Sequence, residues 1–223
     1  MNKIFLTTVC LMGLAVCQAN ALMINCSVGG TPTGVNLLNF DDLTIGAVGG
    51  TSTGPSGSVT VSFTPDGGVV MDTTGTYAAP YLSGGNGTGF GAPNQANGVD
   101  QTIYLTTGMG TVNLNFNVAQ SYFGLLWGSV DAYNTLSFYN GNTLVNQVTG
   151  SQVLSSPNGD QGFNGTVYAN ITTDSAFNRV VASSTQYAFE FDNVATRQVP
   201  DGGMTLALLG VAMSGLAWVR RKI

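Results

Sequence analysis

The side chains that could do chemistry in this sequence are mostly carboxylates. Ten acidic residues and only two arginines lie between positions 22 and 199, and the chain contains no histidine. Glu190 and Asp192 are two residues apart, so a strand would point both to the same face. Glycosidases use two carboxylates about 5–10 Å apart, and roughly 6.5–7 Å between the Cα atoms of such neighbours permits a pair. A solvated strand face explains the pair better, so we expect a protein that is not an enzyme.

A second set of carboxylates predicts a calcium site. Asp41 and Asp42 follow the first strand-like stretch, and Asp192 lies in the last one. Many sandwich folds place their first and last strands side by side, which would bring these side chains together. Calcium takes six to eight hard oxygen ligands, including backbone carbonyls, although the sequence contains no EF-hand spacing. We therefore expect no cofactor other than a structural calcium, with turn capping as the alternative role of the same residues.

Aromatic residues in a long stretch rich in Gly, Asn and Thr, at 73–100, predict contacts with sugar rings. Tyr77, Tyr81 and Phe90 are the candidate stacking side chains, and nearby Asn and Asp residues would supply the hydrogen bonds. Long loops on rigid β scaffolds are often functional. Trp127 lies in a stretch that is apolar on both faces, so we expect it in the core.

Composition excludes several functional classes. A chain without histidine has no Ser-His-Asp or Cys-His catalysis and no metal site that needs imidazole. Proteins that bind nucleic acids need a cationic surface, and the region between the two termini is strongly acidic. The sequence also contains no Walker loop, dinucleotide fingerprint or zinc pattern.

Alternating hydrophobicity predicts that residues 22–198 form one all-β domain, an antiparallel β-sandwich or jelly roll. Apolar and polar residues alternate at 59–63, 112–118 and 187–192, which is typical of strands with one buried and one solvated face. Residues 122–127 are apolar on both faces and indicate a central strand. An Asn-Gly pair at 140–141 between two such stretches predicts a hairpin with a type I′ turn.

The N-terminus predicts a secretory signal peptide at residues 1–21. Lys3 supplies a positive start, and an apolar run follows at 4–16. Ala19 and Ala21 are the small residues that a signal peptidase recognises before it cuts. Signal peptidase is therefore the first expected partner.

Two alternatives to cleavage stay open. The apolar run could be an uncleaved anchor, although it is shorter than the about 20 residues of a spanning helix. It could also precede a lipidated Cys17, although Val16 is larger than the small residue usual at that position. Cleavage would leave Cys26 as the only thiol of the mature chain, which excludes an internal disulfide.

The C-terminus, residues 199–223, predicts a sorting signal in three parts. A short turn-forming motif comes first, consisting of Val199, Pro200, Asp201, Gly202 and Gly203. An uncharged stretch at 204–219 follows and predicts a short transmembrane helix. The basic tail consists of Arg220, Arg221 and Lys222, which would stay on the cytoplasmic side and leave the body outside. A permanent single-span anchor is the alternative to a tail that is cut off.

This tail resembles the PEP-CTERM sorting signals, in their Val-Pro-Asp variant. The body also resembles one family of exosortase-dependent surface proteins in the stretches YAAPY (77–81), YFGLLWGSVD (122–131) and FEFDN (189–193). The resemblance implies processing by an exosortase, a transpeptidase-like membrane enzyme of Gram-negative bacteria that make exopolysaccharide. It brings no known catalytic residues.

From these patterns we expect a non-enzymatic, exported surface protein. Its C-terminal helix would hold it briefly in the inner membrane before an exosortase moves it to the cell surface or extracellular matrix. Association with exopolysaccharide or biofilm would be its role there. A carbohydrate-binding module of the matrix is the alternative, and a glycoside hydrolase is a weaker one.

Overall fold

Two strands of 18 residues each, Thr111–Gly128 and Val167–Ser184, run side by side through the body. The computed structural model describes residues 22–91 and 94–199, and over these residues it is almost entirely β-structure. The strands are β1 (Met23–Val28), β2 (Asn36–Leu38), β3 (Gly49–Gly54), β4 (Gly57–Phe63), β5 (Gly67–Met71), β6 (Tyr81–Leu82), β7 (Gly98–Val99), β8 (Ile103–Thr107), β9 (Thr111–Gly128), β10 (Asn134–Asn140), β11 (Thr143–Thr149), β12 (Val167–Ser184) and β13 (Phe189–Gln198). A 3-10 turn (Gly75–Tyr77) and a one-turn helix, α1 (Gly150–Val153), complete the elements.

The two long strands belong to both halves of one folded sheet. The first half of β9 and the second half of β12 pair with each other, with β4 and β3 on one side and β10 and β11 on the other. The second half of β9 pairs with the first half of β12 and with β13. In this second half-sheet, β1 pairs with β12 on the side away from β9. On the other side, β2 and β8 pair with different parts of β13, and β5 pairs with β8. Register shifts between Thr172 and Arg179 mark the bend between the halves.

The hydrophobic core lies between these two half-sheets. Phe123 of the second half-sheet contacts Phe138 of the first edge-on, with ring centroids 5.8 Å apart. Phe116 and Phe177 complete the aromatic group, at 6.4 Å from Phe123 in each case. Trp127 is fully buried and stacks on Phe189 at 4.4 Å, as its doubly apolar strand predicted. The all-β sandwich-like architecture predicted from the sequence is therefore confirmed.

Two local predictions about alternation were wrong. The alternating buried positions in the first half of β9 end at Phe116, and Val118 is 46% exposed because the strand leaves the core at its bend. Tyr187 precedes β13 and is 44% exposed, so it does not continue the buried face of Phe189 and Phe191.

The β10–β11 hairpin forms where the Asn-Gly pair predicted it, but its turn is shifted by one residue. Asn140 pairs with Thr143, so Gly141 and Asn142 form the loop. Only Gly141 of these two has a positive φ, at +59°. A type I′ turn needs positive φ at both loop residues, so the predicted turn type is not formed.

The long stretch predicted as a loop at 73–100 forms a cover over the outer face of the second half-sheet. We call residues 78–91 and 94–102 the covering segment. It contains the small β6–β7 pair, and Leu82 packs on Leu126 and Tyr168 of the sheet. Gly128 at the end of β9 is required where this segment meets the sheet, since a Cβ there would lie 3.0 Å from Pro80 Cα. The outer face of β9 and β13 beneath this segment is therefore buried.

Within the described residues no helix has the length and apolar character needed to cross a membrane. The predicted signal peptide at 1–21 lies outside the described residues. The predicted transmembrane helix at 204–219 and the basic tail lie outside them as well.

The aromatic core predicts a specific stability difference. Phe123→Ala removes a fully buried ring and should lower the free energy of unfolding by about 3–5 kcal/mol, because a cavity remains. Phe163→Ala is the matched control, since that ring is 50% exposed and its loss should cost less than about 1 kcal/mol. Urea denaturation followed by circular dichroism measures both. Equal losses in the two variants would contradict the placement of the core.

Candidate functional site

A polar cleft of about 470 Å³ opens where β9 ends and β13 begins. Its walls come from the turn at Gly75 and Thr76, from the loop after β9, from the loop before β12 and from the residues that enter β13. The cleft is lined mainly by polar side chains, namely Ser129, Asp131, Tyr133, Asn158, Gln161, Tyr187 and Glu190. Its volume is in the range of sites that bind small ligands.

Glu190, the only glutamate of the chain, lies at the base of this cleft. It points to the outer face of β13, as the alternation predicted, but it is only 1% exposed. Burial raises the pKa of its carboxyl to about 8, against the opposing effect of a hydrogen bond from Ser129 Oγ. Ser129 reaches this carboxyl from a backbone with φ of +36°, immediately after β9. Glu190 is thus a neutral carboxylic acid at neutral pH.

Asp131 supplies a second carboxyl to the cleft. Tyr133 Oη lies 2.6 Å from Asp131 Oδ2 and 2.8 Å from the Tyr187 carbonyl oxygen, and its proton is shared between these acceptors. Burial raises the pKa of Asp131, and the bond from Tyr133 opposes that shift. A Cβ on Gly159 would lie 2.9 Å from Asp131 Oδ2, so the absence of a side chain there leaves room for the carboxylate.

Two aromatic rings, those of Tyr77 and Tyr187, lie beside these acids. Tyr187 contacts Tyr77 edge-on, with centroids 5.9 Å apart, and Tyr187 Oη donates to Asp66 Oδ2 at 3.0 Å. The carbonyl of Tyr77 accepts a hydrogen bond from Tyr104 Oη at 2.7 Å, which fixes the turn. The exposed ring of Tyr187 is held next to two carboxyls. Sugar-binding clefts use such groups, because an aromatic ring stacks on the sugar and polar side chains hydrogen-bond to the sugar hydroxyls.

The three predicted sugar contacts do not form one surface. Tyr77 lies beside the cleft through its contact with Tyr187. Tyr81 instead packs edge-on against Phe163 at 6.3 Å. Phe90 is 1% exposed, in a cluster with Tyr122, and it offers no face to a sugar. Only Tyr77 of the three belongs to the neighbourhood of the cleft.

The structure also places the carboxylates differently from the sequence prediction. The pair Glu190 and Asp192 is not on a solvated face, because Asp192 is fully buried under the covering segment. Asp42 accepts a hydrogen bond from the Thr53 amide at 2.7 Å, and Asp41 accepts one from the Ile103 amide at 3.1 Å. The strand before these residues, β2, does lie beside β13. In the described part of the chain no three His, Cys, Asp or Glu side chains gather as a metal-binding group.

Sequence reasoning missed Ser129, Asp131 and Tyr133 as functional candidates. One signal in the sequence pointed to two of them: Ser129 and Asp131 belong to the stretch YFGLLWGSVD, which supported the resemblance to surface proteins. The link between these distant positions is the pairing of Gly128 with Glu190, which only the sheet register provides.

Comparison with known proteins gives one match. A family model described as the VPDSG-CTERM motif matches residues 198–223. No curated protein and no solved structure matches the chain. The match confirms the predicted similarity of the C-terminus to PEP-CTERM-like sorting signals of the Val-Pro-Asp variant, and it supports an exosortase-sorted, exported surface protein.

The buried acid of the cleft predicts a pH-dependent stability difference. The pKa of Glu190 is about 8 in the folded chain against 4.5 for a free side chain. Its stabilising contribution is therefore complete below about pH 4.5 and is lost as the pH rises through about 8. Glu190→Gln keeps a neutral side chain, so it should gain on the order of 1–4 kcal/mol relative to wild type between about pH 5 and 9.

The control for this experiment is Asp174→Asn, which changes an exposed acid. Denaturant midpoints across the pH range measure all three proteins, and the control should follow wild type throughout. Parallel curves for wild type and Glu190→Gln would show that Glu190 is ionised in the folded chain and would overturn its assignment as a neutral acid.

Proposed function

We propose that this chain is a non-enzymatic surface protein of a Gram-negative bacterium, placed in its exopolysaccharide or biofilm matrix after cleavage by an exosortase. The observation that supports this most directly is the sorting-motif match at residues 198–223. The order of features along the chain also supports it, with a predicted signal peptide first, a β-sandwich body next and the motif last. The predicted partners are signal peptidase, exosortase and an exopolysaccharide.

Processing of the tail has a physical rationale. As a helix, the uncharged stretch at 204–219 would be roughly 24 Å long, which is short for a bilayer. The motif before it is rich in residues that favour exposed turns, so it would be accessible to a protease. A weak anchor next to an accessible motif suits a protein that is held at the inner membrane and then released or transferred.

An epitope tag after Ile223 tests this processing. In wild-type cells the tag should separate from the body and stay in the membrane fraction, because the cut falls between them. Alanine at Pro200, Asp201 and Gly202 should leave an uncut precursor in the inner membrane. A control with alanine at Thr53, Ser58 and Thr60 in the body should be cut normally. A tag that stays covalently attached to surface-exposed wild-type body would exclude sorting by cleavage.

Carbohydrate binding is the second candidate function, and the cleft at Glu190 favours it. Asp131 in its wall supplies a hydrogen-bond acceptor, and the neutral carboxyl of Glu190 at its base adds no second negative charge there. Tyr187 adds a largely exposed ring at the rim. These groups match the hydroxyls and the apolar faces of a sugar, which suits a protein located among polysaccharides.

The same two carboxyls keep glycoside hydrolysis as a weaker alternative. An acid with a raised pKa and a second carboxylate are the two groups that hydrolysis needs. Ser129 hydrogen-bonds to Glu190, and the carboxyl is almost completely buried, so its access to a glycosidic oxygen is poor. We therefore propose binding rather than turnover for this cleft.

A glycan array followed by titration calorimetry tests the binding function. Tyr187→Ala should weaken binding of the best glycan by about tenfold or more, which corresponds to about 1.4 kcal/mol, because a rim ring that stacks on a sugar is lost. Tyr139→Ala is the control, since that ring stacks with Arg179 outside the cleft. Absence of any saturable glycan would remove the binding function. Release of sugar that stops in Glu190→Gln would favour the hydrolase instead.

A further inference from the structure

A second pair of carboxyls lies beneath the covering segment, separate from the cleft at Glu190. Asp192 follows Glu190 by two residues on the same face of β13, and Asp100 comes directly after β7 in the covering segment. Both side chains are 0% exposed. The two carboxyls are close enough to hydrogen-bond to each other. Burial raises the pKa of Asp192 well above its usual range, and the charge of Asp100 raises it further.

Each carboxyl of this pair has one oxygen that is bonded and one that is not. Asp100 Oδ1 accepts hydrogen bonds from the Thr102 amide at 2.9 Å and from Thr102 Oγ1 at 2.6 Å. Asp192 Oδ2 accepts one from Gln95 Nε2 at 3.4 Å. Among the described residues, no N–H or hydroxyl donor reaches Asp100 Oδ2 or Asp192 Oδ1, and none reaches Oδ1 of the adjacent buried Asn193. Buried acceptors without a partner are costly, so two on neighbouring carboxyls, with a third on the next residue of β13, indicate a ligand.

The charge of this region is not balanced by the side chains around it. Asp41 adds a further carboxylate, and its charge raises the pKa of Asp192 as well. The two arginines of the described residues are engaged elsewhere. Arg197 donates to the Thr33 carbonyl and lies over Tyr122, and Arg179 lies over Tyr139.

We propose that Asp100 and Asp192 bind a calcium ion that fastens the covering segment to β13. The unpartnered oxygens of the two carboxyls are the primary ligands, and Asn193 Oδ1, on the next residue of β13, is the candidate for a third position. A cavity of about 230 Å³ borders Asp100, Gln95 and Thr102 and provides room for waters on the Asp100 side of the pair. The ligand set consists only of oxygen atoms, which favours calcium or magnesium over transition metals. Magnesium keeps several waters in a strict octahedron, so a buried site suits calcium better.

This site differs from the calcium site predicted from the sequence. Asp100 replaces Asp42, whose carboxylate is bonded to the Thr53 amide. The proposal does not depend on sorting or on sugar binding, because it concerns only the described body of the protein.

A proton shared between the two carboxyls is the competing arrangement. It would satisfy Asp100 Oδ2 and Asp192 Oδ1 but would leave Asn193 Oδ1 without a partner. The two arrangements differ in their response to substitution. Asp192→Asn imitates a protonated carboxyl, so it should preserve stability if a proton is shared. It should abolish the response to calcium if the ion is bound.

The test uses the full chain in mild detergent, freed of metal with EDTA, and titrated with calcium chloride. Calorimetry should show one calcium per chain. At a calcium concentration a hundred times Kd, the melting temperature should rise by about 5–10 °C over the EDTA sample. Proteolysis within the covering segment should slow in parallel, and magnesium at equal ionic strength should have less than half the effect.

Variants locate the site. Asp100→Asn and Asp192→Asn should each lose most of the calcium response, while Asp174→Asn, an exposed acid on β12, should keep it. If a variant fails to fold, the wild-type titration still decides. Identical wild-type melting in EDTA and in about 10 mM calcium, above the usual range for extracellular modules, would overturn the proposal. A full calcium response in Asp192→Asn would overturn it equally.

Discussion

The burial of the outer face of β13 is the constraint on which the rest of this structure depends. Glu190 and Asp192 point away from the hydrophobic core, and in an ordinary sandwich they would be solvated. Here the covering segment and the loop after β9 close over them, so each carboxyl must be neutral, hydrogen-bonded or compensated by a cation. That requirement produces the raised pKa of Glu190 in the cleft and the unpartnered oxygens at Asp192.

The long strands explain how two polar sites form on one face. Because β9 and β12 belong to both half-sheets, their pairing fixes the halves relative to each other through a single aromatic core. The end of β9 places Ser129 and Asp131 next to the start of β13.

The body contains no disulfide, since Cys26 is a free thiol in β1 whose burial raises its pKa to about 11. Its stability outside the cell therefore depends on this core.

The sorting signal and the two proposed binding sites lie in different parts of the chain. The sorting signal at 198–223 specifies where the protein goes, and the comparisons support only that part. The proposed sugar cleft and the proposed calcium site belong to the body. A calcium ion that fixes the covering segment would also fix Pro80 against Gly128, next to one wall of the cleft. The two proposals are thus structurally adjacent although their tests are independent.

The sequence by itself determined the fold class, because alternation of apolar and polar residues follows directly from strand geometry. It also determined the sorting signal and the core position of Trp127, which are local properties. The tertiary structure alone decided the environment of Glu190 and Asp192, since alternation gives the face of a strand but not what covers it. It also decided that Phe90 is buried and that Asp100 meets Asp192. Those outcomes depend on contacts between residues about 30 to 100 apart in the chain, which no local pattern encodes.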